Sequence, residues 1–323
     1  MNLRLLYHGH CFDGVASAAY FTRFYHTVIN PQAEVAYTGL MHRPGALFDE
    51  QMFDGEENAI VDFKYSPHEK LTWWFDHHQS AFLSREDEEH FKAHQGEKKF
   101  WDPQSKSCVE MIARIVKEKF GFEDSSLDSL VYWGHIIDGA FYESPTQAVE
   151  LAEPALQLMQ LIEAEKENSF IELIIRDLGT GTLEEVAAKA EVKRRLKPVL
   201  EQHQQTLQTI KHKSRCVFSQ GNGTGIVSFD LVDEGIEGFN KFIPYYLHPN
   251  TTYTVALTHG AHRTKISVGS NPFSPTQRKH NIASICEKYG GGGHAVVGAV
   301  SLGVGEIKRG REIMQEIIAE LLQ

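Results

Sequence analysis

Cysteine is scarce in this chain of 323 residues: Cys11, Cys108, Cys216 and Cys286 stand far apart and form no C-x-x-C pair. A disulfide framework is not expected, and a reducing compartment, the cytoplasm, is. Long apolar runs are missing too. No stretch approaches the ~18 consecutive apolar residues that mark a membrane-spanning helix. The opening MNLRLLYHGHCFDG is interrupted by polar residues too early to be the apolar core of a signal peptide. Basic residues are in deficit, 32 Lys+Arg against 43 Asp+Glu, for a formal net charge of −11. A pI near 5.9 argues against long duplex nucleic acid, which is normally met by a basic face.

What is present is ordinary in amount and unusual in distribution. At 41% hydrophobic and 23% charged residues, collagen-like, coiled-coil and wholly disordered chains are excluded. The length suits one large domain or two medium ones. Residues 1–185 hold 15 basic and 32 acidic residues, whereas residues 186–323 hold 17 and 11. Two segments of opposite sign point to two domains with different tasks.

The apolar patterning has the same division. Leu3–Tyr7, Ala59–Val61 and Leu71–Phe75 read as buried strands, and Gly14–Tyr25, Cys108–Lys119 and Ser126–Gly139 as helices. Strands alternating with helices imply a parallel sheet, with ligands beyond the carboxyl ends of its strands. Residues 147–177 look helical. Thr182–Lys211 is a charged helical connector in which Pro198 is expected to kink or break the helix. Arg215–Ser219, Gly225–Asp230, Tyr253–Thr258, Thr264–Gly269 and Ala295–Leu302 then read as strands, with helices over 280–289 and Glu306–Leu322.

Four loci at element ends carry Asp or His: His8-Gly9-His10-Cys11-Phe12-Asp13-Gly14, Asp62, Asp76-His77-His78, and Asp138 in Gly134–Gly139. Such residues ligate Mn²⁺ or Mg²⁺ while leaving positions open for water. Carboxylates converging without a cation would repel one another, so a divalent ion accounts for the acidic half.

Phe75-Asp76-His77-His78, preceded by Ile60-Val61-Asp62 and by Cys11-Phe12-Asp13-Gly14-Val15-Ala16-Ser17-Ala18, resembles the DHH phosphoesterase superfamily. That group includes the exonuclease RecJ, nano-RNases that also act on 3′-phosphoadenosine phosphate, cyclic-dinucleotide phosphodiesterases, family II pyrophosphatases and exopolyphosphatases. Gly290–Gly293 followed by His294 resembles the GGGH signature of the associated DHHA1 domain. The resemblance covers nearly the whole chain, with the motifs in family order.

It implies an α/β fold: a DHH domain over 1–185 with a parallel sheet flanked by helices, a helical linker over 186–213, and a smaller α/β DHHA1 domain over 214–323, with a cleft between. It implies a metal-dependent hydrolase holding one or two divalent ions, Mn²⁺ first, with Mg²⁺ or Zn²⁺ as alternatives. Asp62 would bridge two ions, and His77, Asp138 and Asp13 would hold one of them. Asp76 would orient a histidine, His78 would face the scissile phosphate, and a metal-activated water would attack phosphorus. The first motif departs from the family pattern. Cys11 occupies a usually acidic position, and Asp13 follows His8 by five residues rather than six. The second ion would then rest on His8, on His10 or Cys11, and on Asp62. Cys11 is either a ligand, which favours a softer ion such as Zn²⁺, or a small apolar filler.

Residues 251–300 hold five basic residues and one acid. Arg263, Gly291, Gly292, Gly293 and His294 are candidates for gripping a phosphate. No third module or long basic arm is visible, which favours short oligoribonucleotides, linear or cyclic dinucleotides or 3′-phosphoadenosine phosphate as substrates. Alternatives are an exopolyphosphatase or pyrophosphatase-like activity, or a catalytically weakened nucleotide-binding protein. The expected state is monomer or homodimer, with no membrane partner.

Overall fold

The computed structural model describes residues 2–42, 45–220 and 223–323. They form two compact units, Met1–Tyr142 with Leu151–Val199, and Glu143–Glu150 with Leu200–Gln323.

The first unit is built on five parallel strands, β1 (Asn2–His8), β2 (Glu34–Leu40), β3 (Glu57–Val61), β4 (Leu71–Asp76) and β5 (Lys99–Trp101), in the order β2-β1-β3-β4-β5. Its central strands are apolar almost without a break because both faces are covered. In β4, Trp73 and Phe75 pack with Phe21 and Phe24 on one face. Trp74 faces the other way, toward Tyr65, Phe82 and Phe91. The helices are α1 (Phe12–Phe24, extended by one π-helical turn over Tyr25–Ile29), α2 (Arg85–His94), α3 (Cys108–Phe120) and α4 (Asp128–Asp138). After α5 (Pro145–Glu150), which belongs to the second unit, come α6 (Pro154–Ala164), α7 (Asn168–Leu178), α8 (Leu183–Ala188) and α9 (Ala190–Lys213). Helix α1 is buried nearly all round because α3, α4 and α7 pack against it and its Ala16, Ala18 and Ala19 admit close approach.

The second unit carries six strands, β6 (Arg215–Phe218), β7 (Gly225–Asp230), β8 (Tyr253–His259), β9 (Thr264–Ser270), β10 (Gly292–His294) and β11 (Val297–Leu302), in the order β10-β11-β9-β8-β7-β6. Among the described residues, only β7 and β8 of this sheet pair in parallel. Tyr253, Val255, Leu257, Ile266, Val268 and Val300 form its core with Ile313, Ile317 and Leu321 of α12 (Ile307–Leu321). Two short helices, α10 (Ile243–Leu247) and α11 (Ile282–Glu287), complete it.

The α/β class and the parallel sheet agree with the sequence reading, and other details refine it. Strand β2 is an edge strand whose burial alternates, so it lacks the apolar run that marks its neighbours. Pro198 does not break α9, which continues through it. A proline there forfeits one backbone hydrogen bond, and buried Val192 and Leu196 before it and Leu207 and Ile210 after it anchor both halves. Within α9, residues 190–199 fall in the first compact unit and 200–213 in the second, which also takes in α5. Among the described residues, no helix is long and apolar enough to cross a membrane.

Candidate metal centre

Three adjacent strands of the first unit end on a chemically active residue. Tyr7 lies level with Val61, and Val61 with Phe75. The next residues, His8, Asp62 and Asp76, therefore emerge side by side at the carboxyl edge. The chain runs outward from β1 to β2 and resumes on the far side at β3. Such a reversal leaves a crevice where ligands bind.

Asp62 is 1% exposed and sits in the left-handed region at φ +57°. That conformation costs about 1–3 kcal/mol for a non-glycine residue and persists only where the surroundings impose it. Here the Asp62 N–H donates to the Phe75 carbonyl at 2.9 Å. Its Oδ2 lies 3.2 Å from His8 Nδ1, while Oδ1 is buried without a hydrogen-bond partner. His77 is aimed at the same point. Its Nδ1 lies 3.2 Å from the Ser105 carbonyl, which can only accept, so Nδ1 carries a proton. Its Nε2 then faces Asp62 Oδ1 at 3.4 Å, Asp138 Oδ2 at 3.4 Å and Asp13 Oδ2 at 3.7 Å, with no hydrogen-bond partner of its own. A histidine fixed through one nitrogen by a carbonyl presents the other as a metal ligand.

Asp13 has two tasks. It accepts from the N–H groups of Cys108 (2.6 Å) and Val109 (3.0 Å), capping the start of α3. Gly14 lets the start of α1 lie against the end of β1, since a Cβ there would stand 2.2 Å from the His8 carbonyl oxygen. Asp138, the last residue of α4, is 29% exposed at its side chain. Asp76 is fully buried and stands behind the cluster. Its Oδ1 is 2.6 Å from His78 Nδ1 and accepts from the His78 N–H at 3.2 Å. A carboxylate accepts, so His78 Nδ1 is the protonated nitrogen and Nε2 is left for another partner. The His78 side chain is 36% exposed.

Charge is unbalanced here. Burial, then Asp62 and Asp138, push the Asp13 carboxyl well above its usual range. Burial and Asp62 raise Asp138 as well. For Asp62, burial is outweighed by its close contacts with His77 and His8, which hold it low. Burial alone would lower His77, yet its contact with Asp62 and the charges of Asp13, Asp62 and Asp138 push it up to about 10. The carboxylates thus draw in whatever positive charge is available, as cation sites do.

Ligand atoms fall within 4.8 Å of one another in three overlapping sets: His8, Cys11 and Asp62; Asp62, His77 and His78; Asp13, His77 and Asp138. The unpartnered Nε2 of His77 and Oδ1 of Asp62 are what such a centre leaves open for an ion, and oxygen with imidazole donors suits Mn²⁺, Mg²⁺ or Zn²⁺. His10, at φ +55°, joins none of these sets among the described residues.

The structure thus brings His8, Cys11, Asp13, Asp62, His77, His78 and Asp138 together. Arg263, Gly291–Gly293 and His294 lie in the second unit. Arg263 is exposed before β9, with Nη1 3.5 Å from Ser301 Oγ. The glycine run turns into β10, and a Cβ at Gly291 or Gly293 would stand 2.2 or 2.3 Å from a carbonyl oxygen of β11. Close strand packing already requires glycine at those two positions. Gly292 faces open space and His294 is exposed.

The chain matches the pGpG-specific phosphodiesterase of Vibrio cholerae along nearly its whole length, with 98% of this chain and 99% of that one covered, 19% identity and a TM-score of 0.68. The chain has the two-domain DHH–DHHA1 fold. An exopolyphosphatase-related protein from Bacteroides fragilis matches with 14% identity over 99% of this chain and 92% of that one (TM-score 0.52). RecJ of Thermus thermophilus, in complex with Mn²⁺, matches with 13% identity over 99% of this chain and 52% of that one (TM-score 0.55). No family model and no curated sequence matches the chain.

One neighbour of the centre escapes the motif reading. His42, just beyond β2, stands edge-on to His8 with ring centroids 5.0 Å apart and stacks on Phe63 at 4.7 Å. Burial, then His8, Lys64 and His78, lower its pKa. Its only signal in the sequence is its place at the end of a strand that the apolar pattern does not reveal.

Proposed function

We propose that this protein is a metal-dependent phosphoesterase that hydrolyses short oligoribonucleotides, dinucleotides or 3′-phosphoadenosine phosphate. The observation that carries the reading is the convergence of Asp13, Asp62, Asp138, His8, His77 and His78 on one crevice, with His77 Nε2 and Asp62 Oδ1 unpartnered. The likeness in fold to a pGpG-specific phosphodiesterase, end to end, supports a dinucleotide-sized substrate.

In this reading His77, Asp138 and Asp13 hold one divalent ion, Mn²⁺ first, and Asp62 with His8 holds a second. Such ions polarise phosphoryl oxygens and make water nucleophilic near neutral pH. The chain's own groups do the rest. The Ser105 carbonyl fixes the His77 ring, and Asp76 fixes the His78 ring; burial alone would lower His78, but the hydrogen bond to Asp76 raises its pKa, and as the imidazolium its Nε2–H can donate to a phosphoryl oxygen. The left-handed turn at Asp62 points its carboxylate into the crevice in advance, so nothing needs to reorganise as charge develops. Arg263, Gly291–Gly293 and His294 are proposed to contact the phosphates of the substrate, and the protein to work in the cytoplasm.

The test is turnover by purified protein with Mn²⁺ of pGpG, pApA, 3′-phosphoadenosine phosphate, cyclic di-AMP and polyphosphate, with products resolved by chromatography. Mononucleotide release from the linear dinucleotides, or phosphate release from 3′-phosphoadenosine phosphate, is expected. Turnover of polyphosphate alone would move the substrate to inorganic chains. Binding of nucleotides without any turnover would make the protein a binder.

A further inference from the structure

His8, Cys11 and Asp62 offer nitrogen, sulfur and oxygen within 4.8 Å of one another, whereas Asp13, His77 and Asp138 offer only oxygen and nitrogen. Asp62 is 1% exposed and its Oδ2 lies 3.2 Å from His8 Nδ1, so the sulfur-bearing set includes a buried carboxylate already turned toward its imidazole. Cys11 is partly exposed and uncommitted to a disulfide. It is the N-cap residue of α1. Cys108, by contrast, is buried and donates its thiol to the Phe75 carbonyl at 3.4 Å, and among the described residues it joins no donor set. Thiolate favours Zn²⁺ or Co²⁺ over Mn²⁺ or Mg²⁺ far more steeply than carboxylate with imidazole, which follow the same order but also accept the harder ions.

We propose that His8, Cys11 and Asp62 form a thiolate-containing cation site, so that the centre seats two chemically different ions: a thiophilic one beside Cys11 and a hard one beside Asp13, His77 and Asp138. Cys11 binds as the thiolate, its proton passing to solvent. The inference rests on the metal-dependent reading of the same residues and adds selectivity to it.

The experiment is spectroscopic and needs no turnover. Metal-stripped full-length protein is titrated with Co²⁺, and the near-ultraviolet thiolate-to-cobalt charge-transfer band is followed. The band should appear in the wild type and in Asp138→Ala, vanish in Cys11→Ser, and be displaced by Zn²⁺ but not by Mn²⁺. In Cys11→Ser, Zn²⁺ affinity should fall by about tenfold or more, within the range found when the surroundings of a metal site are altered, while Mn²⁺ affinity at the other position stays. Uptake of two cobalt ions per chain without the band, or a band that survives in Cys11→Ser, overturns the thiolate site and leaves the phosphoesterase reading intact. Failure to bind any divalent ion overturns both. The wild-type spectrum decides even if the serine variant folds poorly.

Discussion

Asp13 shows how one residue serves stability and chemistry at once. Both of its oxygens accept backbone N–H groups at the start of α3 while one faces His77 Nε2. Removing the carboxylate leaves two buried donors unpaired, at about 1–3 kcal/mol each. Asp13→Ala should therefore lower stability in urea unfolding by an amount of that order, with or without metal. A stability equal to wild type would mean that α3 is capped in some other way. Asp138, by contrast, closes α4 with a partly exposed side chain whose recorded ion pair is to His77. Asp138→Ala should keep the fold and its unfolding midpoint in metal-free buffer while abolishing turnover. Unchanged activity would remove it from the metal shell. His42, which touches His8 and Phe63 but belongs to no donor set among the described residues, should tolerate alanine with Mn²⁺ affinity intact.

At the scale of elements, β3 and β4 are tied together at the end opposite the crevice by a partly buried hub. Glu57 accepts from Tyr25 Oη and Trp73 Nε1, both at 2.8 Å, and from Lys98 Nζ at 2.9 Å. Burial alone would raise its carboxyl, but the hydrogen bonds from Lys98, Trp73 and Tyr25 hold it below its ordinary 4.5. The sign follows from linkage. A carboxyl with a lower pKa folded than unfolded contributes fully above the unfolded value, and loses that contribution as pH falls through the folded one. Glu57→Gln should destabilise the protein near neutral pH by about 1–3 kcal/mol, as for hydrogen bonds to a charged group, and the deficit should shrink below pH 4.5. Parallel pH profiles of the two proteins would contradict this. In α9, Pro198 sits inside a continuous helix. Pro198→Ala restores a donor and relieves a ring clash worth about 3 kcal/mol in a helix interior, so the unfolding midpoint should rise; a fall would mean that the proline is matched to its surroundings.

Across the whole molecule, the opposite signs of the two sequence segments do not carry over to the compact units: the first holds 20 basic and 31 acidic residues, including the acidic donors, and the second holds 12 of each. A ligand that binds only the folded state stabilises it by about 2.7 kcal/mol at a hundred times its dissociation constant. Mn²⁺ should therefore raise the thermal midpoint of the wild type over its value in EDTA, and the gain should be lost in Asp138→Ala. An EDTA-treated sample that melts with the Mn²⁺ sample would argue that no cation completes this centre.

The sequence by itself was enough for the α/β class and the parallel sheet, and it singled out side chains that the fold brings close together. Each of those rests on local signals: apolar runs in central strands, and Asp or His at the residue where a strand or helix ends. The edge strand β2 escaped because half of its side chains face solvent, and with it went His42. The continuity of α9 through Pro198 and the reassignment of α5 to the second unit depend on what packs against them, which no local pattern records. Tertiary structure alone decided that Asp13 caps α3 while facing His77, that Asp62 is held at a positive φ, and that Cys11 rather than His10 stands with His8. The physical reason is common to all three: they depend on which chain segments, far apart in sequence, are brought within hydrogen-bond or ligand distance by the order of strands in one sheet.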